Sequence, residues 1–173
     1  IQLKDGQPLI LEGIHGMNPR LIPDRWSGAA FRVYVSALTQ INLDRHNRVS
    51  TTDTRLIRRM VRDARERGYS ATQTISRWES VRRGEKRHIF PYQENADVMF
   101  NSALVYELSA LKPLAEPLLR QVQYRAPEYI EARRLLAFLE WFLPLDASLI
   151  PANSIVREFL GGSGLKDFKI WRG

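Results

Sequence analysis

Hydrophobic and polar positions change their period several times along the chain. Pro8 to Leu11 is a short continuous apolar run that ends in Glu12-Gly13. Such a run bounded by turn formers predicts a buried strand, with Glu12 at the C-terminal end where open α/β sheets place their ligands. Residues 18–28 carry two prolines and predict a loop or short helix. Phe31 to Ala37 alternates apolar with polar residues and predicts a second strand, followed by a polar, irregular stretch. From Asp53 to Gly68 the period becomes helical. At 100° per residue, Leu56, Ile57, Met60, Val61 and Ala64 share one face, and Arg55, Arg58, Arg59, Arg62 and Arg65 share the opposite one. The apolar stripe predicts docking on a core, with the arginines turned outward or into a cleft. Thr52 or Asp53 suits the cap and Gly68 the stop.

Ser70 to Gln73 reads as a capping box opening a helix that stops near Gly84. Val98 to Asn101 predicts a short strand. Residues 112–122 and 126–144 predict helices, the second opened by Pro127 and closed by Pro144. Leu135, Leu136, Leu139, Trp141, Phe142 and Leu143 make that second helix so apolar that it needs a domain or another subunit to pack on. A last short helix should end at Gly161-Gly162. There is no internal repeat.

Composition narrows the function classes. The 173 residues, 44 % hydrophobic, suffice for one sizeable core. The formal charge is +7 and the pI about 10.0, which favours anionic partners such as nucleotides, phosphates or nucleic acid. The absence of cysteine excludes disulfides, thiolate metal sites and cysteine nucleophiles, and fits a reducing, cytoplasmic setting. No apolar run approaches the roughly 20 residues that span a bilayer. The first residues do not read as a signal peptide, and a first residue of isoleucine suggests a processed product or part of a longer chain.

The candidate chemistry concentrates in "DTRLIRRMVRDARERG", where six of sixteen residues are arginine and none is lysine. Arginine offers a planar fork for bidentate phosphate contact; lysine supplies only a point charge. Solvated charge is the plain alternative for such a run. Glu12, after an apolar run and before glycine, suits a carboxylate that holds Mg²⁺ directly or through water. His15, His46 and His88 show no ligand spacing. The G-x-x-x-x-G-K-[ST] phosphate loop is absent, and "GGSGLK" at Gly161 to Lys166 is a loose echo that reads as a flexible tail.

"LILEGIHGMNP", "YVSALTQINLDRHNRVSTTDTRLIRRMVRDARERGYSATQTISRWESVRRGEKRHIFPYQENADVMFNSALVYEL" and "IPANSIVREFLGGS" together resemble the second half of the uridine kinase and phosphoribulokinase family. The likeness is closest to long bacterial nucleoside kinases that carry threonyl-tRNA-synthetase-like modules before the kinase domain. The resemblance implies an α/β, partial P-loop NTPase fold lacking its N-terminal half, with added C-terminal helices. It divides the chain into a kinase part, residues 1–112, and a helical extension, residues 113–173. It implies ATP and Mg²⁺ as cofactors and a small-molecule acceptor, a nucleoside or related hydroxyl compound. Glu12 would fall on the metal-side carboxylate. Arg59 and Arg62 would be the catalytic arginines of a lid, with Arg55, Arg58 and Arg67 contacting phosphate or substrate and Asp97 beside the nucleotide. The segment alone, without a phosphate loop, should not turn over. A homo-oligomer through residues 127–144, or binding of RNA, stays open as an alternative; the aromatics sit in helical apolar patterns rather than on a stacking platform, which weighs against RNA. No membrane partner is expected.

Overall fold

The computed structural model describes residues 4–21 and 28–165. Their elements run β1 (Val33–Ser36), α1 (Thr51–Arg67), α2 (Ala71–His88), β2 (Val98–Asn101), α3 (Glu107–Arg120), α4 (Tyr129–Leu139) and α5 (Arg157–Leu160), with 3₁₀ turns at Pro19–Leu21, Phe90–Asn95 and Ala147–Leu149. The two strands pair in one sheet. Their ladder advances in the same direction, from Asp97 N–H on the Arg32 carbonyl to Ser102 N–H on the Ser36 carbonyl, so the pairing is parallel and α1 and α2 form the crossover. Among the described residues this is a mixed α/β chain with a small parallel sheet and five helices. Among the described residues no helix is long and apolar enough to cross a membrane.

The chain divides into two compact units, Ile1–Val35 with Ser80–Phe100, and Ser36–Glu79 with Asn101–Gly173. In the first unit, the apolar run predicted as a buried strand forms no strand. Leu9, Ile10 and Leu11 are exposed, Ile10 at 87 %. A strand gains its stability from neighbours on both edges and faces, and the described residues give this run neither. Val33, Val35 and Val98 to Phe100 are exposed too, and among the described residues of this unit Tyr34 is the buried apolar one.

The second unit holds the core. Leu56, Ile57 and Met60 of α1 are fully buried, as are Leu111 of α3 and Leu135 and Leu139 of α4. Ser50, rather than Thr52 or Asp53, caps α1: its hydroxyl accepts the Asp53 N–H. Gly68 ends the helix at φ 67°, the left-handed conformation glycine adopts without strain. The capping box at α2 forms as the spacing predicts, with Ser70 Oγ accepting the Gln73 N–H and Gln73 Oε1 accepting the Ser70 N–H. Helix α2 continues through Gly84 to His88, because an isolated glycine costs only about 1 kcal/mol in a helix.

Helix α3 begins five residues before the predicted start and contains Pro113 and Pro117. The carbonyl of Ser109, which Pro113 leaves without its helical donor, accepts the Leu145 N–H at 3.0 Å. Helix α4 is shorter than predicted. Pro144 disfavours helical geometry at Leu143, and the chain leaves α4 through tightened turns at Trp141 and Phe142. Trp141 and Leu143 consequently stay exposed, outside the apolar helix expected there. Gly161, at φ 89°, ends α5 where the glycine pair predicts. Gly164 donates to the Ala152 carbonyl, so residues 161–165 fold back rather than trail; Lys166 and residues 22–27 lie outside the described residues.

Candidate functional site

Helix α1 carries the arginines, and the core carries α1. Because α3 and α5 both pack on it, α1 is buried over most of its circumference rather than along one stripe. Arg58 shows the consequence. Helical angles place it on the arginine face, yet it is buried. Its Nε donates to Glu107 Oε2 at 3.0 Å, its Nη2 pairs with the same oxygen, and Nη2 also reaches the Ser102 carbonyl at 2.8 Å. Glu107 is itself 2 % exposed, and its other oxygen, Oε1, finds no hydrogen-bond partner among the described residues. Burial raises the Glu107 carboxyl above the usual range, and the Arg58 charge only partly opposes that.

The remaining guanidinium groups are held individually. Arg59 Nε donates to Asp63 Oδ2 at 3.2 Å, and Arg67 Nη1 to Asp63 Oδ1 at 2.5 Å, so one buried carboxylate serves two arginines four residues on either side. Arg62 Nη1 reaches Glu158 Oε1 at 2.9 Å. Arg65 bonds Glu66 and the backbone carbonyls of Glu158 and Phe159, both at 2.6 Å. The Phe159 ring lies 5.0 Å from the Arg58 guanidinium carbon and 6.0 Å from that of Arg62, within cation–π range. Arg55 is half-buried and also engaged. The cluster's mutual repulsion is therefore offset by acids and carbonyls the sequence places far away, at Glu107, Glu158 and Phe159.

At the start of α1, Arg134 grips Asp53 with both Nη atoms, at 2.8 and 2.7 Å, and also pairs with Glu131. Those bonds, from Glu131 first and then Asp53, raise the Arg134 pKa further above its ordinary value. A recess of about 80 Å³ opens in the same unit, lined by Leu38, Thr39, Val49, Asn101, Leu104 and Glu107. That is far below the roughly 300 Å³ a drug-sized ligand needs, so it is no nucleotide site.

The other two sequence candidates sit in the first unit. Glu12 is exposed in an unpaired segment, not at the end of a paired strand as its apolar run predicts. Asp97 is exposed at the entrance to β2, where its Oδ2 accepts the Arg32 N–H at 2.6 Å while its own N–H bonds the Arg32 carbonyl. It aligns the parallel pair. Among the described residues no three metal-ligating side chains cluster. Mg²⁺ takes one or two carboxylates and fills its octahedron with waters and substrate phosphates, so a single exposed Glu12 fits that mode and not an all-protein cage.

Glu107, Glu158 and Phe159 escape a reading of the arginine segment alone. Glu107 leaves one signal in the sequence: a lone acid inside the apolar stretch Leu104–Leu111. No curated protein and no solved structure matches this chain. The family model described as Phosphoribulokinase / Uridine kinase family matches residues 2–109, more than half of the chain, including both strands, α1 and α2. The chain belongs to the phosphoribulokinase/uridine kinase family, a family of kinases.

Proposed function

We propose that this chain forms part of an ATP-dependent kinase of the uridine kinase type, supplying arginines that neutralise a transferring phosphoryl group and a carboxylate on the metal side. The observation that carries the reading is the α1 cluster, six arginines and no lysine on one core-anchored helix, inside the family-matched residues. Phosphoryl transfer demands little covalent chemistry from a protein; it needs positioning and charge stabilisation of the phosphate oxygens. Arg58 is committed to Glu107 and Ser102 and fixes the helix. The phosphate-facing roles therefore go to Arg59 and Arg62, with Arg55 and Arg67 beside them. Glu12 would hold Mg²⁺ through its carboxylate, and the ion when bound draws charge from the phosphate oxygens. Asp97 has its carboxylate on the Arg32 amide, which supports a part in shaping the nucleotide side of β2 rather than in the chemistry. The acceptor in this reading is a small hydroxyl compound such as a nucleoside. The sequence holds no G-x-x-x-x-G-K-[ST] loop, so the reading assigns the phosphate cradle to another part of the working enzyme.

The test is transfer of the γ-phosphate of ATP to uridine and other nucleosides by the intact protein, run beside RNA binding over a salt series. Mg²⁺-dependent transfer supports the reading. RNA affinity that falls steeply with salt, without transfer, assigns the +7 charge to a polyanion-binding module instead.

A further inference from the structure

The donors of the arginine face meet a segment of this same chain that offers oxygens where a phosphate would. Glu158 gives a carboxylate to Arg62, and the Glu158 and Phe159 carbonyls give two more oxygens to Arg65. Phe159 lays its ring against Arg58 and Arg62. The segment is short, four helical residues from Arg157 to Leu160, and it is bounded by Gly161 and Gly162, both at positive φ. Arg157 moors its base to the Ala147 and Ile150 carbonyls. Glu158 itself is half exposed, with 55 % of its side chain open to solvent, so the ion pair to Arg62 is one that solvent and competing anions reach.

We propose that the Glu158–Phe159 segment is a built-in strap that occupies the α1 arginines and yields to a polyphosphate, so that binding of the phosphate chain and release of the strap are one exchange. The proposal rests on the assignment of the α1 arginines to phosphate. An anion that offers three charged oxygens replaces one carboxylate and two carbonyls on Arg62 and Arg65; the exchange uncovers Phe159, which is buried against α1, with the glycine pair at positive φ at the end of the segment away from its mooring at Arg157. The exchange makes the apparent affinity for polyphosphate lower than the affinity of the bare arginine face, by the factor with which the strap holds its place.

The experiment measures binding of inorganic tripolyphosphate to the intact protein by calorimetry, for the wild type, Glu158→Gln, Phe159→Leu and Arg59→Gln. The strap predicts binding about two- to fivefold tighter in Glu158→Gln, the range of a half-exposed ion pair, and tighter also in Phe159→Leu, which changes no charge. Arg59→Gln, which does not touch the strap, weakens binding. Tightening in Glu158→Gln alone is a general charge effect and overturns the strap. Equal affinity in wild type and both strap variants, with loss in Arg59→Gln, overturns the strap and leaves the arginine assignment standing. Absence of any Arg59-dependent binding overturns both. Should Phe159→Leu not fold, amide hydrogen exchange in the wild type decides: tripolyphosphate should cost the Phe159–Gly161 amides their protection, and unchanged protection overturns the proposal.

Discussion

The two units of this chain solve the burial problem in opposite ways. The second unit closes a core of leucines, isoleucine, methionine and phenylalanine around α1 and, among the described residues, holds every buried apolar residue except Tyr34. The first unit, matched by the same family model, leaves Leu9, Ile10, Leu11, Val35, Met99 and Phe100 in solvent. An amphipathic helix needs one groove to bury its stripe, and α3 and α5 supply it to α1. A parallel strand needs a neighbour on each edge and cover on each face, and two strands cannot supply these to each other. The arginines follow the core: in the second unit they sit on a packed helix and are tied to Glu107, Asp63, Glu158 and the Phe159 carbonyl, whereas Glu12 in the first unit is exposed.

The most disruptive way to probe this contrast is to break the buried ion pair. Arg58→Met should destabilise the chain by about 3–5 kcal/mol in urea unfolding, because it strands the Glu107 carboxylate in the core. Adding Glu107→Leu should recover most of the loss, since removing both charges leaves nothing to desolvate. Next in size is the apolar contrast itself. Leu111→Ala, at a fully buried position, should cost about 2–5 kcal/mol. Ile10→Ala, at 87 % exposure, should stay within about 0.5 kcal/mol. Equal losses at both positions would erase the distinction between the units. A smaller effect belongs to the α1 cap, where Ser50→Ala should cost about 1 kcal/mol.

The gentlest probe is pH. The Glu107 carboxyl is raised above its ordinary 4.5 by burial, so the folded chain binds this proton more tightly than the unfolded chain. Its contribution to stability is therefore greatest below about pH 4.5 and declines as pH rises through the folded value. Urea unfolding of the wild type and Glu107→Gln across pH 4 to 7 should show the extra downward slope in the wild type alone.

Much of the second unit is legible in the chain. The period of Leu56, Ile57, Met60 and Val61, the Ser70–Gln73 box and the stop at Gly68 are local signals, and each forms. Two of the failures involve partners distant in sequence, and a third is local. Pro8–Leu11 has the composition of a strand, but composition does not supply neighbours. Arg58 turns inward because Glu107, 49 residues away, waits in the core. The helix through Trp141 and Leu143 ends early because Pro144 acts one residue before itself, against an apolar pattern that reads as continuous. Of the candidate site, the arginine helix is readable and its anchoring is not: Glu107 stands out only as a lone acid in an apolar stretch, and Glu158 and Phe159 become partners of α1 only once α1, α3 and α5 are packed.

In the proposed function, the α1 arginines act on phosphate through their forked geometry. Its most direct test is the steady-state rate of γ-phosphate transfer from ATP by the intact protein carrying Arg59→Lys or Arg62→Lys. Both keep the charge and remove the fork, and neither side chain is among the buried residues of α1. Each should slow turnover by about tenfold or more, the effect of about 1.4 kcal/mol of transition-state stabilisation, while thermal unfolding is nearly unchanged. Turnover at the wild-type rate in both lysine variants would contradict it.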